Sequence, residues 1–263
     1  MAGLFSVAGK NVLVTGGSRG IGLMIARGFV EAGAHVWISS RKAAACEEAA
    51  AALNAAGLDV GGTCSAIPAD LSDPANVPTV VDALSGQVDR LDVLVNNAGA
   101  TWGAPLEEYP DSAFDKLWAI NVKAVFRLTV SLLPLLRAAA TEDDPARVIN
   151  VGSIDGIKVP ALPVFAYAPT KAAVHMVTRQ LAAELAPQHI TVNAMAPGPF
   201  ESKMMAFALD NPQVRAEIES SVPLGRIGRP DDVAGTAIYL ASRAGAYLTG
   251  AVIPVDGGLT THG

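Results

Sequence analysis

The stretch "NVLVTGGSRGIG", residues 11–22, decides how this chain is read. Asn11 to Thr15 is a short apolar, β-branched run of the kind that forms a buried strand. From Ile21 the pattern "IGLMIARGFVEAG" is that of a helix. The glycines between them let the chain turn tightly. They also let its N–H groups and the helix N-terminus approach an anion such as a pyrophosphate. A glycine trio alone would fit a plain turn equally well, so the neighbouring segments carry the argument.

Outward from this stretch the same alternation repeats. "AHVWISS" (34–40) reads as a strand, and Lys42 to about Ala56 as an alanine-rich helix. "GTCSAIPAD" (62–70), "LDVLVNNAG" (91–99), "RVINVGS" (147–153), "ITVNAMAPG" (190–198) and "AVIPVDGG" (251–258) read as further strands. Helical patterns lie between them, including one long helix through "FDKLWAINVKAVFRLTVSLL" (114–133). Short β-branched runs separated by helices predict βαβ units, a parallel sheet and right-handed crossovers, hence an α/β doubly wound fold. No repeat or linker divides the 263 residues, so a single domain over 1–263 is expected. After Gly198 the rhythm breaks, and the segment of about 198–224 is expected to be a lid over the site.

Composition excludes several function classes. Hydrophobic residues make up 51% and charged residues 17%, which suits a packed core and argues against disorder. No apolar run approaches the ~20 residues of a membrane helix. The net charge of −6 disfavours a nucleic-acid partner, which calls for a basic face. Cys46 and Cys64 are too few for a disulfide framework, and no secretory signal pattern opens the chain, so a cytoplasmic setting is expected. His35, His175, His189 and His262 share no metal-ligand spacing; no metal site is expected, and the histidines read as structural or exposed. "VGSIDG" is not the GxSxG elbow of hydrolases.

"YAPTK", Tyr167 to Lys171, places a phenol and an amine four residues apart. On a helix the two share a face. Pro169 is tolerated if it falls in the first turn, where no backbone partner is lost. To share its proton near neutral pH a phenol must shift by about 3 pKa units, or ~4 kcal/mol. An ammonium ~4 Å away at an effective dielectric near 20 supplies about that much. The spacing therefore suits either an exposed helix face or an acid with its cation.

The glycine loop has the form TGxxxGxG, and it is followed in order by "NNAG" (96–99), Asn121, Ser153, "YAPTK" and "APG" (196–198). Over nearly its whole length the chain thus resembles the short-chain dehydrogenase/reductase family. The resemblance implies a Rossmann-type sheet of about seven strands with helices on both faces. It implies a catalytic set of Asn121, Ser153, Tyr167 and Lys171. Ser153 would hydrogen-bond a substrate carbonyl, and Tyr167 would be the general acid or base. Lys171 would lower the phenol's pKa and hold the nicotinamide ribose, and Asn121 would anchor a water chain leading to Lys171. Gly16, Ser18, Arg19, Gly20, Ile21 and Gly22 would cradle the dinucleotide, with Asp70 and Leu71 at the adenine. Asn97, Ala98 and Gly99 would line it after the fourth strand, and Pro197 and Gly198 would pass the nicotinamide. The family usually has a threonine a few residues beyond that glycine; here Ser202 would take its place.

At the end of the second strand the family reads an acidic residue as a mark of NAD(H). This chain has Ser40, Arg41 and Lys42 there, with Arg19 nearby in the glycine loop. Cations at a helix start are disfavoured by the dipole unless an anion sits there, and guanidinium suits phosphate. A 2′-phosphate and NADP(H) are therefore expected rather than NAD(H). Trp102, Asp155, Phe165, Phe200 and Met204, with Ser153, are expected around the substrate, alongside Ile154, Leu162, Val164 and Met205. Apolar walls of this kind suggest a small-molecule carbonyl or alcohol substrate, such as a 3-oxoacyl thioester or a hydrophobic ketone reduced by NADPH. A gluconate-type polyol dehydrogenase and a non-catalytic dinucleotide-sensing protein are the alternatives. Relatives are usually homotetramers, which "VFRLTVSLLPLL" and "AVHMVTRQLAAEL" would fit as helix interfaces.

Overall fold

The computed structural model describes residues 3–202, 205 and 210–261. Its strands are β1 (Asn11–Thr15), β2 (His35–Ser40), β3 (Thr63–Pro68), β4 (Val93–Asn96), β5 (Ala146–Val151), β6 (Ile190–Pro197) and β7 (Val252–Val255). They form one sheet in the order β3-β2-β1-β4-β5-β6-β7, with every neighbouring pair parallel. Helices α1 (Gly20–Glu31), α2 (Ala43–Gly57), α3 (Val77–Ser85), α4 (Asp111–Trp118), α5 (Ala124–Ser131), α6 (Leu133–Ala139), α7 (Tyr167–Leu185), α8 (Pro212–Ser221) and α9 (Pro230–Ala241) flank it.

The period-2 alternation of a strand divides its residues between two cores. Val12 and Val14 of β1 and Val93 and Val95 of β4 face one core, with Ile25 and Phe29 of α1 and Leu240 of α9. Leu13 and Leu94, between them, face the other, with Leu84 of α3, Leu128 of α5 and Leu181 of α7. Both faces are covered, which is why the strands read as near-continuous apolar runs. Full burial of a side chain such as Leu13 contributes about 1.5–3 kcal/mol.

The order reverses between β1 and β4, so the connections leaving their carboxyl ends run to opposite faces and a crevice opens there. The Thr15 hydroxyl accepts hydrogen bonds from the N–H groups of Asn97 (2.9 Å) and Ala98 (3.0 Å), tying the two loops together.

Two elements differ from the sequence reading. The expected long helix is interrupted by a π-helical turn at Ala119–Lys123, and a separate helix, α6, begins at Leu133 with Pro134 in its first turn, bent by 57°. The segment after Gly198 contains α8, which begins with Asn211 accepting from Gln213 N (2.9 Å) and Pro212 in the first turn. That Asn-Pro start signal was legible and was passed over.

Candidate active site

The glycine loop is shaped by contact and by conformation. Gly16 has φ +66° and Gly20 φ +54°, and a Cβ on Gly16 would lie 2.8 Å from Asn97 Nδ2. A Cβ on Gly22 would collide with Asn97 Nδ2 and the carbonyl of Gly16. Asn97 itself donates to Thr15 O at 2.8 Å. Arg19 is the N-cap of α1 and makes no side-chain capping bond, and no acidic residue lies in the first turn. The first N–H groups of α1 are therefore left without side-chain partners, a cradle that fits a phosphate.

Around this cradle the expected dinucleotide residues converge in part. Ser18 and Ser40 hydroxyls are 2.9 Å apart. Arg19, Arg41 and Lys42 are exposed, and Lys42 is the N-cap of α2 without a side-chain capping bond. Asp70 accepts from Ser72 N (3.0 Å) and Ser72 Oγ (2.7 Å), so one carboxylate oxygen is already engaged; the cap before Pro74 is Asp73. Leu71 is buried and Ile21 packs against the core. A Cβ on Gly20 would lie 3.3 Å from Ser202 Cβ, which places Ser202 over the glycine loop. Gly198 is held by Val255 O at 3.0 Å.

The tetrad residues meet below this crevice. Ser153 lies two residues past β5 and its Oγ accepts from Asp155 N at 3.1 Å. Tyr167 opens α7 with Pro169 in the first turn, as expected. Lys171, buried one turn on, donates to Val151 O at 2.8 Å, and its Nζ lies 5.6 Å from the Tyr167 ring centroid. A Cβ on Gly99 would be 3.7 Å from that Nζ and 3.1 Å from Asn121 Oδ1, so the β4 loop rests directly on both.

The electrostatics correct one expectation. Burial pushes the Tyr167 phenol up to about 12, against hydrogen bonding from the Ser153 side chain and reinforced by Asp155. Burial also pulls Lys171 down to about 8, partly opposed by Asp155. The net shift of the phenol is upward, because burial penalises the phenolate more than its surroundings stabilise it. The phenol is consequently fully protonated at neutral pH.

Asn121 holds two elements of the site together. It sits in the π-helical turn and is buried; Oδ1 accepts from Ala100 N (2.9 Å), while Nδ2 donates to Ala100 O (3.0 Å) and Thr170 Oγ1 (2.9 Å). Its side chain thus clamps the β4 loop to α7. Thr170 Oγ1 in turn donates to Tyr167 O at 2.7 Å. The irregular turn supplies that aim, since π-bulges redirect side chains at functional sites.

The expected substrate residues separate. Asp155, Leu162, Val164 and Phe165 share a hollow of about 400 Å³ with Ile157 and Pro169. The Asp155 carboxyl lies above its usual range through burial, with Lys158 and Lys171 pulling it back. Trp102 (45% exposed) and Phe165 (39%) are joined through Tyr109, whose hydroxyl donates to Trp102 O and accepts from Ala166 N, both at 3.1 Å. Phe200 is not a wall of this hollow: it is 2% exposed, packs in the core and lies against Gly228. An aromatic ring three residues past β6 is better accommodated in the core than in solvent. Met204 lies outside the described residues. Thr15, Tyr109, Thr170 and the buried His175 were missed as site residues, because their partners are far apart in sequence. Among the described residues no cluster of His, Cys, Asp and Glu could hold a metal, and no single helix is long and apolar enough to cross a membrane.

Comparison with known proteins gives the same outline. The family model described as enoyl-(acyl carrier protein) reductase matches residues 16–260. The rhamnolipids biosynthesis 3-oxoacyl-(acyl-carrier-protein) reductase of Pseudomonas aeruginosa is 51% identical over 254 residues, covering 97% of each chain. The solved Pseudomonas aeruginosa RhlG/NADP active-site complex superposes with a TM-score of 0.94 at 50% identity, covering 98% of this chain and 99% of that one. A gluconate 5-dehydrogenase from Burkholderia cenocepacia J2315, in complex with NADP and tartrate, gives 0.88 at 33% identity over 99% of both.

Proposed function

The chain belongs to the short-chain dehydrogenase/reductase family, and from that premise we propose that it is an NADPH-dependent oxidoreductase. Its reaction is the reduction of a carbonyl, in a 3-oxoacyl thioester or a hydrophobic ketone, to a secondary alcohol. The observation that carries this reading is a protonated phenol, Tyr167, beside the Ser153 hydroxyl and a buried lysine, directly under the β4 loop. The bracketing of α1 and α2 by Arg19, Arg41 and Lys42, with no carboxylate at Ser40, supports NADP(H) over NAD(H). The NADP-bound relatives agree.

Gly16, Ser18, Gly20, Ile21 and Gly22 would hold the pyrophosphate, Ser40 with the three cations the 2′-phosphate, and Asp70 and Leu71 the adenine. Asn97, Ala98, Gly99, Pro197, Gly198 and Ser202 would line the remainder. When bound, the nicotinamide supplies the hydride. The chain supplies the rest. Ser153 donates a hydrogen bond to the carbonyl oxygen and steadies its developing charge. Tyr167 then gives its proton to that oxygen, which as an alkoxide is a far stronger base than phenolate. The Lys171 ammonium stabilises the phenolate left behind until solvent returns a proton. Asn121 and Thr170 fix the β4 loop and the start of α7.

One continuous sheet supports reading residues 1–263 as one domain, with a lid over about 198–224 that falls partly outside the described residues. Exposed Phe126, Val130 and Met176 on α5 and α7 support a homotetramer, and the free Cys46 and Cys64 support a cytoplasmic setting. The test is NADPH oxidation with 3-oxoacyl thioesters and bulky ketones, run against NADP reduction with a polyol panel. Turnover of the first set, with NADH a poor substitute, is expected. Turnover of polyols alone would make the enzyme a polyol dehydrogenase, and no turnover at all would contradict the reading.

A further inference from the structure

Two glycines bracket the Ser153 turn, and one side chain crowds the space beside both. His175 lies one turn beyond Lys171 on α7 and is only 4% exposed. A Cβ on Gly152 would collide with His175 Nε2 and lie 2.7 Å from its Cδ2. A Cβ on Gly156 would lie 2.8 Å from His175 Cε1 and 2.7 Å from Ala172 N. Neither glycine has a positive φ, so contact and not backbone conformation forbids a side chain: chiefly with the ring at Gly152, and with both the ring and the α7 backbone at Gly156. The turn between them packs against the imidazole, through Nε2 and Cδ2 at Gly152 and Cε1 at Gly156.

The turn has few other fixings. Gly152 N donates to Met195 O at 2.7 Å, Gly156 N to Ser153 O at 3.0 Å, and Asp155 N to Ser153 Oγ at 3.1 Å. The last two lie within the turn, so they set its shape but not its place against α7. Against α7 it is held by the Lys171 Nζ bond to Val151 O at 2.8 Å, by the close approach of Gly156 to the Ala172 backbone, and by the ring. Nε2 is buried without a partner among the described residues. An unsatisfied buried polar atom costs about 1–3 kcal/mol, which a leucine would avoid.

We propose that His175 is a positioning residue: its imidazole, held between Gly152 and Gly156, sets where the Ser153 hydroxyl stands relative to Tyr167. The proposal rests on the roles given above to Ser153 and Tyr167. The ring touches no reacting atom. It acts through Ser153, so removing it matters only while Ser153 is there to be misplaced.

Two arms test this. In the first, kcat is measured for wild type, His175→Ala, Ser153→Ala and the double variant, with NADPH affinity followed by fluorescence. His175→Ala is expected to lower kcat by about 10- to 100-fold, the range for a small misplacement, with NADPH affinity unchanged. In the Ser153→Ala background the further loss is expected to stay under about threefold, because the two residues act as one unit. Equal losses in both backgrounds, or no loss in His175→Ala, would overturn the proposal. The second arm needs no turnover and reads Tm. Gly152→Ala is expected to lower it, and Gly152→Ala with His175→Ala to regain much of that loss as the methyl enters the vacated space. Failure to regain would show that the ring does not fill the space beside Gly152. Absence of wild-type turnover with any carbonyl would contradict the function of the preceding section, and the Tm arm would still decide this contact.

Discussion

Lys171 Nζ lies 5.6 Å from the centroid of the Tyr167 ring and donates to the Val151 carbonyl at 2.8 Å. The pair is therefore a buried ammonium facing a protonated phenol, with each group shifted by desolvation in the direction that favours its neutral form. The arrangement is costly to the folded chain and suited to proton donation.

The cost predicts that Lys171→Met stabilises the protein while removing activity. The lysine's folded pKa is depressed from 10.5 to about 8. Below about pH 8 both states are protonated and the folded state carries the full penalty; as pH rises from 8 towards 10.5 the penalty fades. In urea denaturation without cofactor at pH 7, the variant is expected to gain about 1–3 kcal/mol, less whatever the Val151 carbonyl loses. The gain should shrink towards pH 10. A destabilised Lys171→Met at pH 7 would show that the lysine is not strained by burial.

His175 gives the opposite limb. Its pKa is lowered to about 4 by burial first, then by the charge of Lys171, with Arg179 adding to it and the Gly156 backbone opposing. A base that is harder to protonate when folded loses stability as pH falls below its unfolded value. Wild type should therefore weaken between pH 6.5 and 4 by on the order of 3 kcal/mol relative to His175→Gln. Parallel stability profiles of the two proteins over that window would contradict a buried neutral imidazole.

Thr170 connects Asn121 to the start of α7 through bonds of 2.9 and 2.7 Å. Thr170→Val keeps the shape and leaves a buried Asn121 donor unpaired, at a cost of about 1–3 kcal/mol. Both Tm and kcat should fall, and Thr170→Ser should restore both. Equal behaviour of the valine and serine variants would remove the hydroxyl from the account.

Arg41→Ala should weaken NADPH binding by about 10- to 100-fold, the worth of a lost charge-assisted bond, and leave NADH binding nearly unchanged. Isothermal titration with both dinucleotides measures this directly. Equal weakening of the two would mean that Arg41 does not contact the 2′-phosphate.

The fold was legible because strand alternation and helix spacing are local. Val12, Leu13 and Val14 announce two covered faces without knowledge of what covers them. The tetrad was suggested by the ordered motifs that resemble the family, since the spacing of Tyr167 and Lys171 alone left an exposed helix face open. What escaped depends on partners distant in sequence. Phe200 reads as an apolar residue near a site, and only the contact with Gly228 shows that it is core. His175 reads as an isolated histidine until Gly152 and Gly156 close on it. The phenol's pKa was misjudged because spacing gives the attraction of a cation and not the desolvation of both groups.

The central claim is that the Tyr167 phenol delivers the proton. Single-turnover oxidation of bound NADPH by a carbonyl substrate, compared between wild type and Tyr167→Phe, tests it most directly. The account predicts a rate loss of about 10²- to 10⁴-fold with NADPH affinity preserved. A phenylalanine variant that reduces the carbonyl at the wild-type rate would contradict it.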